Sequence, residues 1–135
     1  MSQRAKRIIM NRPLTEASLA QLFLQRLATA ASELHADGTK ERISDLELSN
    51  IFNERSYEEA LDYCCNKCTI DIQKKYPGNH TNWWNPTKAV NMLEKAGFKD
   101  VYISGHGQSQ SPVMRNCYLF DSTHPKISLY VEAKK

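Results

Sequence analysis

No run in this sequence stays apolar for the roughly 18 residues that a membrane-spanning helix requires. Glycine and proline are scarce, at five each in 135 residues, and no linker, internal repeat or low-complexity segment is built from them. Charge of one sign is lacking too. Eighteen basic side chains face fifteen acidic ones, and a net charge of +3 does not by itself imply a nucleic acid. Cysteine is rare and bunched: Cys64, Cys65 and Cys68 fall in one short stretch, and Cys117 stands apart. A disulfide framework would spread them, so reduced thiols in a reducing compartment are the better reading. Residues 1–10 are basic, but their apolar part is too short for a signal peptide, and the expected location is the cytoplasm. What remains is a composition 41% hydrophobic and 24% charged, in a chain long enough for one modest core.

Both tryptophans stand side by side in Tyr76-Pro-Gly-Asn-His-Thr-Asn-Trp-Trp-Asn-Pro86. A ring of that size wants a surface to cover. Two of them among turn residues point to a loop folded over something, either the protein's own core or a ligand.

The chain around that loop reads as helices first and strands last. Residues 1–13, with Arg4, Lys6, Arg7 and Arg12, form a basic arm without interleaved aromatics, a remote candidate for nucleic-acid contact. A first helix is predicted from Thr15 as N-cap, with Leu19, Phe23, Leu27, Ala30, Ala31 and Leu34 as its stripe and Asp37-Gly38 as its end. Leu22 and Leu24 widen that stripe, so the helix calls for a second covering surface, in the core or at an interface. Ser44-Asp-Leu-Glu47 and Ser56-Tyr-Glu-Glu59 have the form of capping boxes. The second opens a predicted helix to about Lys75, with Tyr57, Leu61, Cys64, Cys65, Cys68 and Ile72 on one face. Asn85-Pro86 starts another helix, with Val90, Leu93 and Ala96 inward and Gly97 closing it. Strands are predicted over 101–104 and over 127–133, where Ile127, Leu129, Val131 and Ala133 alternate with polar neighbours.

Several chemistries can be weighed on these residues. Cys65-x-x-Cys68 is one half of a zinc site, but structural zinc needs a second pair, and only His80 and Cys117 are left to supply it. The helix stripe accounts for the thiols as core residues. No cysteine is marked locally as a nucleophile, although His80, His106 and His124 all lie in loops. Gly105-x-Gly107 follows a strand, as a nucleotide loop would, but a Ser/Gln/Pro-rich loop comes after it and no helix. The stronger signal is a set of polar loop residues: His80, Asn82, His106, Gln108, Ser109, Arg115, Asp121 and His124. In an α/β layer, loops at one sheet edge converge into sites.

The run Ser56-Tyr-Glu-Glu-Ala-Leu-Asp62 resembles the C-terminal part of bacterial S-adenosylmethionine-dependent methyltransferases of class I. So do the following Lys-Lys-Tyr-Pro-Gly-Asn-His-Thr-Asn-Trp-Trp84, Leu93-Glu-Lys-Ala-Gly-Phe98, Gly105-His-Gly-Gln-Ser109 and Val113-Met-Arg-Asn116. The ending Phe120-Asp-Ser-Thr-His-Pro-Lys-Ile-Ser-Leu-Tyr-Val-Glu-Ala133 completes a resemblance over residues 56–135. It implies an α/β fold, part of a Rossmann-like sheet, with a helical N-terminal half and a C-terminal antiparallel strand pair after a helix. Residues 14–55 have no counterpart in the resemblance. It further implies an acceptor-side portion of the enzyme, with His80 and His106 in catalytic roles. Asn82, Trp83, Trp84, Gln108, Ser109 and Arg115 would meet the substrate. S-adenosylmethionine is the implied cofactor, but the family's glycine-rich loop and the acidic residue after its second strand are missing here. The chain is therefore expected to be incomplete for catalysis alone and to pair with a cofactor-binding chain or with itself through 15–36. The alternative is a non-enzymatic binding or assembly module.

Overall fold

A computed structural model describes residues 17–35, 41–120, 125–126 and 128–135. Among the described residues the fold is mixed: mostly helices up to Lys95, then a two-stranded antiparallel sheet. It divides into two compact units, residues 1–83 and 84–135, so the boundary falls between the two tryptophans. The basic arm and the expected Thr15 cap and Asp37-Gly38 stop lie outside the described residues, as do Asp121, His124 and Ile127.

Among its described residues the first unit holds four helices: α1 (Leu19–Leu27), α2 (Asp45–Glu54), α3 (Tyr57–Asn66) and α4 (Ile70–Lys75). A 3-10 turn, Thr29–Ala31, follows α1. The single long helix expected over 15–36 is thus cut short. Ser18 caps α1 by accepting from the Gln21 amide at 3.1 Å, and Ala28 leaves the helical region at φ −142°. The break has a cause in Thr29. Its N–H donates to the His80 carbonyl at 2.9 Å, and its hydroxyl accepts from the His80 N–H at 2.9 Å. Thr29 therefore pairs with a distant backbone and does not extend the helix.

The buried face of α1 is also rotated from the one its stripe suggests. Leu24, Leu27 and Ala28 are buried, but so are Gln21 and Gln25, whereas Leu19 is 85% exposed and Phe23 lies at the surface. Gln21 tolerates burial because its amide is fully used. Its Nε2 donates to the Ile43 carbonyl at 3.0 Å and to Asp45 Oδ1 at 2.8 Å. Its Oε1 accepts from Ser32 Oγ at 3.1 Å and the Glu33 amide at 2.8 Å. Two donors and two lone pairs are then satisfied, which removes the usual cost of burying an amide.

Against this face pack Leu48 of α2 and Leu61, Cys64 and Cys65 of α3, with Ile43 and Cys68 from the connections. Each leucine side chain fully taken out of water contributes roughly 1.5–3 kcal/mol. The three thiols are core residues, as their stripe suggests, and none of the four cysteines is in a disulfide. The helix expected to run from Ser56 to Lys75 is instead two, with Thr69 in an extended conformation between α3 and α4. Gln73 Nε2 holds the bend by donating to the Cys68 carbonyl at 2.7 Å. Tyr57, expected inward, is 65% exposed. Both Ser caps are present; the one at Ser56 is a full reciprocal box with Glu59, whose carboxyl is held below its ordinary range by the Ser56 hydroxyl and then the Ser56 amide.

The second unit begins with α5 (Pro86–Lys95), capped by Asn85 Oδ1 accepting from the Lys88 amide at 2.7 Å. Its buried residue is Ala89; Val90 and Leu93 are half-buried and Ala96 is exposed, contrary to the inward reading of Ala96. Gly97, at φ +86°, reverses the chain into β1 (Lys99–Ile103). β1 pairs antiparallel with β2 (Val131–Lys134) in the register Tyr102↔Glu132 and Ile103↔Val131. Between Lys99 and Tyr102 the ladder bulges, and Asp100 takes φ +47°. β2 is shorter than the 127–133 expected, although Ser104 N–H still donates to the Tyr130 carbonyl at 3.0 Å. α5 packs on both strands. Among the described residues no helix is long and apolar enough to cross a membrane.

Candidate functional site

The residues singled out by sequence divide between the two units. His80, Asn82 and Trp83 belong to the first; Trp84, His106, Gln108, Ser109 and Arg115 belong to the second. In the first unit, His80 fixes the loop through its backbone, which is the partner of Thr29, while its side chain is exposed. The exposed Asn82 turns its Oδ1 to the Trp83 amide at 2.9 Å. Trp83 packs against the core, and its indole N–H donates to Asp62 Oδ1 at 2.7 Å. That ring covers the protein's own interior. Trp84 differs: it is 53% exposed, with Lys88 Nζ 5.8 Å from its ring centre.

The second unit gathers the remaining residues in the connection from β1 to β2. Its centre is Glu132, one of the polar neighbours that alternate with the apolar residues of the last strand. The Glu132 carboxylate accepts from the Tyr102 hydroxyl across the strand pair, from Ser109 Oγ at 2.9 Å and from the Gln110 amide at 3.3 Å. These donors favour the charged form. The Tyr102 hydrogen bond foremost, with help from Ser109, Ser104 and Gln110, holds the Glu132 carboxyl below its ordinary value against the loss of solvent. The Tyr102 phenol is pushed up, first by loss of solvent and then by the same carboxylate. The signal in the sequence was a tyrosine and a glutamate in two short strands; only their register makes them partners.

Ser109 is buried, and its Oγ also accepts from the Ser111 amide at 3.0 Å. Arg115, in the 3-10 turn Pro112–Arg115, donates through Nε to the Ser109 carbonyl at 2.6 Å. Ser109 and Arg115 are therefore fixed by the loop itself. Gln108 is exposed, and its amide closes a turn on the Gly105 carbonyl at 2.9 Å. His106 is exposed, with its ring edge-on to Tyr130 at 5.9 Å between centroids.

This loop and β2 line a half-open cavity of about 380 Å³. Ser104, His106 and Glu132 give it a polar side; Met114, Leu119, Phe120 and Leu129 give it an apolar one. The combination suits a small amphipathic molecule, with the His106 side chain at the cavity wall. No group of three or more His, Cys, Asp or Glu among the described residues is arranged to hold a metal ion.

The loop does not fit the pyrophosphate- or S-adenosylmethionine-type cradle. Such a cradle needs glycines whose backbone is open to the ligand and a helix directly behind. Here Gly107 is filled by the protein: a Cβ there would lie 2.9 Å from Cys117 Sγ, and a 3-10 turn follows at Pro112–Arg115. Comparison of the chain with protein-family models, with curated proteins and with solved structures finds no match.

Proposed function

We propose that this chain forms the acceptor-substrate side of a Rossmann-like, S-adenosylmethionine-dependent methyltransferase, the methyl donor being held by another polypeptide segment. The supporting observation is the arrangement of the second unit, a helix packed on an antiparallel strand pair whose connection lines a cavity with His106 at its wall. In this reading His106 takes the proton from the acceptor, and Glu132 sets the loop that carries His106. The cofactor enters no step through these residues, because the 105–107 loop offers it no cradle. The test is methyl transfer by a complex of this chain with a polypeptide carrying a glycine-rich strand–turn–helix unit. His106→Ala is expected to lower turnover about a hundredfold or more. Unchanged turnover would sink the assignment.

A second reading, an assembly module, draws on the first unit. Leu19, Phe23, Phe52 and Tyr57 line an apolar groove of about 390 Å³, with Phe52 edge-on to both Phe23 and Tyr57. Self-association through that groove would show in the sedimentation of the purified chain and be lost in Phe23→Asp.

A further inference from the structure

Gly105-His106-Gly107 has a use that neither a nucleotide loop nor a simple turn explains. Gly107 adopts φ +68°, and the position its Cβ would take lies 2.9 Å from Cys117 Sγ. Any side chain there would be strained by the backbone and would displace the sulfur. The loop is cut to seat one thiol. Beside that thiol stands His106, with Nδ1 4.0 Å from Sγ. The Arg115 carbonyl lies 3.5 Å from the same sulfur. Of these two acceptors only the imidazole can carry the proton away, and its ring is set by the edge contact with Tyr130.

We propose that Cys117 is a reactive thiol with His106 as its base, and that it accepts low-molecular-mass disulfides to form a mixed disulfide. A nucleophile within hydrogen-bonding reach of a base that is oriented by a third group is the arrangement an activated thiol requires. Cys117 is only partly buried, and its neighbours His106 and Gly107 both line the cavity of about 380 Å³. The other three cysteines have no such setting. They are buried in the first unit, and the Cys64 thiol is pushed up to about 12 by burial, then by Cys65 and Glu47. Burial likewise raises Cys68.

The step balances without a further reactant. His106 Nδ1 takes the Cys117 proton, and the sulfur attacks one sulfur of the disulfide. A new S–S bond forms as the old one breaks. The departing half leaves as a thiolate and takes the proton from the imidazolium. Cys117 is oxidised, and the released half of the disulfide is reduced. None of this depends on methyl transfer.

The experiment incubates the full chain with oxidised glutathione at neutral pH and follows the adduct by intact mass and peptide mapping. A short unstructured peptide with one cysteine sets the reference rate. A single adduct on Cys117 is expected, formed faster than on the peptide. It should slow about tenfold in His106→Gln and vanish in Cys117→Ser. A wild-type rate at or below that of the peptide, an unchanged rate in His106→Gln, or labelling of Cys64, Cys65 or Cys68 would overturn the proposal. The comparison with the peptide decides it even if the histidine variant loses its fold.

Discussion

Gln21 and Gln25 sit one turn apart on α1, both buried, and they are opposites in what burial costs them. Gln21 spends its whole amide on Ile43, Asp45, Ser32 and Glu33. Gln25 Nε2 is buried with no partner among the described residues. A buried donor without a partner costs about 1–3 kcal/mol, and a thioether of similar length avoids that cost. Gln25→Met is therefore expected to leave stability unchanged or raise it by about 1 kcal/mol. Gln21→Met strands the Glu33 amide and the Ile43 carbonyl and should cost about 3 kcal/mol. Urea denaturation of the two variants checks both signs. Equal losses would mean that the four bonds of Gln21 do not set its burial.

At the scale of the element, the β1–β2 connection is a loop held by one carboxylate. Because donors depress the folded pKa of Glu132, its contribution to stability is full above the unfolded value of about 4.3 and is lost as pH falls through the folded value. Glu132→Gln removes the charge at every pH. The melting temperature of this variant should therefore lie below that of the wild type at pH 7, and the gap should close in acid below about pH 4. A gap that persists there would show that Glu132 acts by shape and not by charge.

Element types followed from local chemistry here. Ser44, Ser56 and Asn85 were readable as caps because a cap needs only its own first turn. Breaks were not readable in the same way. Thr29 interrupts the first apolar stripe because of His80, fifty-one residues on, and no local window contains both. The candidate site behaves alike. The polar loop 105–116 was visible by composition, whereas Glu132 became its anchor, and Cys117 the neighbour of His106, only through strand register and turn geometry.

At the scale of the whole molecule, burial is unevenly shared. Leu24, Ala28, Ala30, Ala31, Ile43, Ala60 and Cys64 are closed to solvent, and all belong to the first unit. In the second, Ala89 and Ser109 are the buried residues among those described. Apolar burial sets how much free energy a segment must spend to open, so the second unit should open at a lower cost than the first. Native-state hydrogen exchange measures this directly. Amides of α1 and α3 should exchange only through the largest opening, and those of β1 and β2 through a smaller one. Leu24→Ala, which removes a fully buried side chain, should lower the protection of α1 and α3 by about 2–5 kcal/mol. The same variant should leave β1 and β2 unchanged, because their exchange proceeds by opening of the second unit alone. If protection falls equally in both units, they unfold as one cooperative body. The loop that carries His106 and Cys117 would then be as rigid as the core, rather than the part of the molecule that opens first.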